Sequence, residues 1–179
     1  MSVLHISVDI EADGPYPGDY SMIELGACVV EDMDQRFITQ LKPISRDWAP
    51  EALAVSGYTR EETLAFMPAS TAMHAFRDWL NMVDNNGRDR LVFVSDNPVF
   101  DGMFVWWYFG RFGMINPFGF SGVSITSLYK GFMADMRRDF RRDGLRRWPH
   151  THNALDDAVG NAEAFKAIMD RMAVKKLGL

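Results

Sequence analysis

Asp9 and Glu11 close the apolar run Val3 to Val8, with a single residue between them. On a strand of period two they point to the same side, where like charges repel. A shared proton, a metal cation or a solvated strand end would each relieve that repulsion. Two later segments bear on the choice. Asp101 comes early in a helix after the strand Leu91 to Val94, within Asn97-Pro98-Val99-Phe100-Asp101. His152 and Asp157 stand where the last helix begins, in His152-Asn153-Ala154-Leu155-Asp156-Asp157. Five residues apart, they do not share a helical face. His152 is therefore free to move near the helix start, and Asp157, more than a turn inside, is better fixed. Acids in a first turn also complement the helix dipole, a sufficient reason for Asp156 and one that extends to Asp157. Carboxylates with a histidine form a hard to borderline donor set, suited to magnesium or manganese.

The elements that must position these groups are legible in outline. Val3 to Val8 alternates loosely, Met22 to Val30 is nearly all apolar, and Gln35 to Leu41 alternates after the acidic turn Glu31 to Asp34. Short connections between them predict an antiparallel meander, with the second strand buried on both faces. Thr59-Arg60-Glu61-Glu62 is a capping box that opens a helix. After Pro68, Ala72, Phe76, Trp79, Leu80 and Val83 form one helical stripe, which Asn85-Asn86-Gly87 should end. Pro98 suits the first turn of the next helix. Ala154, Ala158, Ala162, Phe165, Met169 and Met172 give the last helix its apolar face. Strands first, then helix, strand and helix in alternation, predict an α/β fold with a mixed sheet flanked by helices.

The ordered set Asp9-x-Glu11, Asn97-x-x-Phe100-Asp101 and His152-x-Ala154-x-x-Asp157 resembles the DEDD-type 3′–5′ exonucleases of the histidine subclass. The resemblance runs from residue 3 to about residue 170 and takes in Ile23-Glu24-Leu25-Gly26-Ala27 and Ser56-Gly57-Tyr58-Thr59. It implies a ribonuclease H-like five-stranded sheet, antiparallel meander first and parallel strands after, with residues 1–179 forming one exonuclease domain. It further implies that Asp9, Glu11, Asp101 and Asp157 hold two Mg2+ or Mn2+ ions. Asp9 would bridge them, Glu11 and Asp157 would complete the tighter site, and Asp101 would act directly or through water. His152 would be the general base, since histidine ordinarily titrates at about 6.5. Ala12, Tyr58 and Asn97 would contact substrate. Only His152, and not His150, has Ala two residues on and Asp five residues on, so His150 is assigned to a solvated loop. His5 and His74 lack ligand-spaced partners, and Asp13 is read as ending its strand with Gly14.

Composition sets the outer limits. Of 179 residues 47% are apolar and 13% aromatic, which argues against disorder, and the net charge of −5 argues against a protein that coats nucleic acid nonspecifically. Cys28 is the only cysteine and lies in an apolar run, as a buried structural thiol would. The chain shows no secretory signal and no membrane-length apolar run, so a soluble cytoplasmic protein is expected. From Lys130 to Arg147 seven bases face three acids. They form either a phosphate-tracking patch or a solvated helix with paired charges. Residues 100–120 hold nine aromatics, more than one core stripe can bury, and a homodimer would cover the surplus. Gly14 to Tyr20 is long enough for a lid or specificity loop. Ser95-Asp96 before Asn97 and the arginine-rich stretch depart from the commonest family pattern. The expected partner is single-stranded nucleic acid with a free 3′ end. The acidic surface favours RNA or short oligonucleotides, the alternatives being a DNA-directed exonuclease of the same family or a silent binding module.

Overall fold

The computed structural model describes residues 2–84 and 87–176. Along the chain run β1 (Val3–Ala12), β2 (Met22–Val29), β3 (Arg36–Lys42), α1 (Pro50–Ser56), α2 (Arg60–Leu64) and β4 (Met67–Pro68). They are followed by α3 (Ala69–Val83), β5 (Arg90–Ser95), α4 (Asp101–Arg111), β6 (Gly122–Ser124), α5 (Ile125–Met133) and α6 (Ala154–Lys176). The sheet order is β4-β3-β2-β1-β5-β6. The antiparallel meander β1-β2-β3 is present, and β5 and β6 continue the sheet parallel to β1. These five strands form the expected mixed sheet, and the two-residue β4 adds a short parallel edge beside β3.

Alternation along β1 decides which residues meet which helix layer. Ile6, Val8, Ile10 and Ala12 point to the face covered by α3 and α4, where Phe76, Trp79, Phe104 and Tyr108 complete the larger core. The opposite face, with Cys28 and Val94, packs under α5 and α6 against Ile125, Tyr129, Val159 and Phe165. Ser7 lies on this second face and donates its hydroxyl to the Ala158 carbonyl at 2.7 Å. Cys28 is buried beside it, and burial pushes its thiol up to about 12, which suits a structural cysteine.

Several boundaries differ from the sequence expectation. β1 runs on to Ala12, so Asp9 and Glu11 lie within a paired strand opposite Gly26 and Glu24. Ile10 and Ala12 preserve the apolar alternation past the first acid, and that keeps the strand going. In α6 Ile168 is buried, while Met169 is exposed and Met172 only partly buried. The capping box at Thr59 is present, with both reciprocal bonds to Glu62. Asn85 and Asn86 lie outside the described residues. Most of the aromatic run is satisfied within the chain: Phe104, Tyr108, Phe109 and Phe118 are buried, and Phe100, Trp106, Trp107 and Phe112 pack against that core. Phe120 is the fully exposed member.

Candidate active site

The start of α6 is fixed before any functional group is considered. Asn153 caps it, its side-chain oxygen accepting from the Leu155 and Asp156 amides at 3.1 Å each. The Ala154 amide donates to Glu24 on β2 at 2.9 Å. Close approach is possible because Gly26 faces this turn, where a Cβ would lie 2.2 Å from the Ala154 carbonyl carbon. With α6 seated there, Asp157 is fully buried beside Asp9 and Glu11. One oxygen from each of Asp9, Glu11 and Asp157 lies within 4.8 Å of the others. Asp101, the first residue of α4, is buried and stands outside that tight group, yet it is the strongest neighbouring negative charge felt by Asp9.

The electrostatics follow from crowding in a water-poor setting. Burial, then the charges of Asp101, Asp157 and Glu11, push the Asp9 carboxyl well above the ordinary carboxylate range, and Arg146 opposes them. Burial, followed by Asp157, Glu24 and Asp101, lifts Glu11 to about 8. Burial lifts Asp101 to about 7 against the hydrogen bonds it accepts from its surroundings. The crowding of Asp9, Glu11 and Asp101 opposes their ionisation together, and a bound divalent cation would relieve it. Four carboxylates of this kind are hard oxygen donors, and they fit divalent Mg2+ or Mn2+.

A cleft of about 380 Å³ opens over the cluster. Ile10, Ala12, Pro15, Ala52, Val55 and Phe100 supply an apolar wall, and Asp9, Glu11, Asp101, Arg141, His150 and His152 supply the polar end. His152 is half exposed, its Nδ1 is 3.9 Å from a Glu11 oxygen, and its backbone φ of 57° is left-handed. Its amide donates to Asp157 at 3.1 Å, which ties the histidine loop to the acid. Thus Asp9, Glu11, Asp101, His152, Ala12 and Asn97 all reach one cleft, and Asp157 lies directly beneath it.

Two expectations need correction, and one gains a contact. Tyr58 does not line the cleft: its hydroxyl donates to Glu24 at 2.6 Å and accepts from Gln40 at 2.7 Å. His150 lies in an exposed loop as expected, and from there its Nδ1 comes within 2.8 Å of Asp157 and its ring centroid within 4.2 Å of that of His152. The stretch from Lys130 to Arg147 is helical only through Met133 and continues as turns anchored by buried Phe140 and Leu145. Its arginines divide by role. Arg137, Arg138 and Arg142 pair with Asp135, Asp143 and Asp139 at 3.1, 3.3 and 3.9 Å on the surface. Arg141 turns into the cleft and pairs with Asp96, whereas Arg146 is buried against Asp157.

Some groups have roles that the sequence does not assign. Glu24 anchors α6, and its only signal was a carboxylate within an otherwise apolar strand. Asp13, read as a strand terminator, is fully buried, pairs with Arg60 at 2.7 Å and accepts from the Ser21 amide at 2.5 Å. It pins the far end of β1. Of the 14–20 loop, Gly14 and Pro15 line the cleft.

No family model matches the chain. It is 37% identical over 179 residues to the 3′-5′ DNA exonuclease Cap18 of Escherichia coli, covering 97% of this chain and 95% of that protein. Its fold superposes on the nuclease domain of 3′hExo, a DEDDh family member bound to rAMP, with a TM-score of 0.75 at 15% identity, covering 93% and 92% of the two chains. An E. coli ExoI–ssDNA complex with bound zinc gives a TM-score of 0.72 at 15% identity over 97% of this chain and 42% of that one. Identity of this level over nearly the full length of both proteins goes with the motif order and the shared fold, and so this protein belongs to the DEDD-type 3′–5′ exonuclease superfamily and is a 3′–5′ exonuclease.

Proposed function

We propose that residues 1–179 act as one exonuclease domain that removes nucleoside 5′-monophosphates from the 3′ end of single-stranded DNA in the cytoplasm. The observation that carries this reading is the convergence of Asp9, Glu11, Asp101 and His152 in one cleft above Asp157. Asp9, Glu11, Asp101 and Asp157 would hold two Mg2+ or Mn2+ ions. When bound, such ions neutralise charge on the attacking and leaving oxygens of a phosphodiester and lower the pKa of a bound water. His152, at the mouth beside Glu11, accepts the proton of the attacking water. Asp157 orients the loop that carries it, through the His152 amide. The apolar wall receives base and sugar, and Arg141, held by Asp96, meets a phosphate oxygen. Ala12 and Asn97 contact the terminal nucleotide.

DNA is preferred over the RNA expected from sequence because the full-length relative is named a DNA exonuclease. ExoI structures that share this fold hold dA16 and dT13 oligonucleotides. The proposed homodimer uses Val99 and Phe120, exposed apolar side chains that line one surface hollow with Gly122 of β6. Sedimentation at the mass of a single chain would remove it. The test of substrate is digestion of matched single-stranded DNA and RNA with Mn2+, comparing kcat/KM. A ratio favouring RNA would overturn the DNA assignment and leave the cleft's chemistry standing.

A further inference from the structure

The Arg146 guanidinium lies behind the cleft and donates to four protein acceptors. The residue is 9% exposed, beside Asp157 at 0% and Asn161 at 1%. One terminal nitrogen donates to Asp157 Oδ1 and to the Pro149 carbonyl at 3.3 Å. The other donates to Asn161 Oδ1 at 3.1 Å, and Nε donates to the Trp148 carbonyl at 3.0 Å. Asn161 then passes its own amide hydrogen to Asp9 Oδ1 at 3.3 Å. A continuous chain therefore joins Asp9, Asn161, Arg146 and Asp157 from behind the cleft. The same guanidinium binds the two carbonyls that lead into His150 and His152. Gly160 makes room for it, since a Cβ there would come 2.6 Å from Arg146 Nε.

Removing one partner from a buried pair strands the other charge, so this arrangement is costly to break. A flat fork with five fixed donors can serve four acceptors at once, and lysine cannot. We propose that Arg146 is a resident counter-cation and positioning residue for the acid cluster, holding Asp157 and, through Asn161, Asp9, while fixing the loop that bears His152. In this role it competes electrostatically with the divalent ions and supplies the geometry that makes them productive. The inference rests on the divalent-metal reading above. It gives a signature opposite to plain structural damage, namely tighter metal binding with slower turnover.

The test is Mn2+ titration by calorimetry, thermal melts in EDTA and in Mn2+, and steady-state kinetics on single-stranded DNA. Arg146→Gln removes the charge and is expected to bind Mn2+ on the order of tenfold tighter. Its melting temperature should rise more on adding Mn2+ than that of the wild type, and kcat should fall roughly 10²-fold. Arg146→Lys restores the charge without the fork, so Mn2+ affinity should return to the wild-type value while kcat stays low. Equal or weaker Mn2+ binding by Arg146→Gln, or its failure to fold at saturating Mn2+, would overturn the proposal, because Arg146 would then be a packing residue. Arg146→Lys binding Mn2+ as tightly as Arg146→Gln would do the same. Wild-type protein that binds no Mn2+ would instead remove the metal reading itself.

Discussion

Glu11→Gln removes one crowded carboxyl and leaves its shape almost intact. In the folded protein this group titrates at about 8, against an ordinary value of 4.5 that the unfolded chain restores. The fold thus holds the proton more tightly than the unfolded chain does. Stability of the metal-free protein is therefore lost as pH rises from about 4.5 to 8, and the loss is complete above 8. At ~1.4 kcal/mol per pH unit, that cost reaches about 3 kcal/mol at pH 7 and about 5 kcal/mol above pH 8. Burial is the largest cause and repulsion from Asp157, Glu24 and Asp101 adds to it; a buried Gln amide also needs hydrogen-bond partners, so the net gain on substitution should be about 2 kcal/mol. For a chain of this size the gain corresponds to a melting temperature roughly 5 °C higher in EDTA at pH 8, with little difference near pH 4.5. Mn2+ should stabilise the wild type strongly and the variant weakly, and turnover should be lost. Thermal melts across pH 5 to 9, with EDTA and with Mn2+, read all of these. A variant no more stable than wild type in EDTA at pH 8 would refute the reasoning, since the carboxyl would then carry no uncompensated charge.

Other substitutions separate scaffold from chemistry. Gly26→Ala should push the start of α6 off β2, lowering stability by about 1–3 kcal/mol and activity with it, as melts and kcat together will show. His152→Ala should lower kcat on single-stranded DNA roughly 10²–10⁴-fold while leaving the melting temperature within about 2 °C of the wild type. The corresponding loss for His150→Ala should be under about tenfold, because His150 faces Asp157 rather than Glu11. Arg141→Gln should raise KM for oligonucleotides about tenfold and flatten the salt dependence of binding by about one phosphate contact, whereas Arg137→Gln should change neither.

The parts of the site carried by short local motifs were legible in the sequence. Spacing puts Asp9 and Glu11 on one side of a strand and His152 and Asp157 at a helix start, but only the family resemblance joins them into one site. Asp101 needed only the strand before it and a helix after it. The misreadings have physical causes. A charge in a strand resembles a terminus, which puts the expected end of β1 at Asp9, whereas Ile10 and Ala12 keep the buried alternation going. β6 has three residues, one of them glycine, and carries no periodic signal. The roles of Glu24, Arg146 and Asn161 depend on partners 11 to 152 positions away, which no local pattern encodes. The family resemblance assigns Tyr58 to substrate, but the buried Glu24 carboxylate draws its hydroxyl away from the cleft. The sequence of the arginine-rich stretch allows two roles, and the fold divides it among three: surface pairs, a cleft arginine and a buried one.

The most direct test of the central claim follows digestion of a single-stranded DNA labelled at its 5′ end, with Mn2+ and with EDTA, for wild type and Asp9→Ala. The account predicts a ladder shortening one nucleotide at a time from the 3′ end, release of nucleoside 5′-monophosphates, and no product with EDTA or with a folded Asp9→Ala protein. Undiminished shortening by Asp9→Ala, or by wild type stripped of metal, would contradict it.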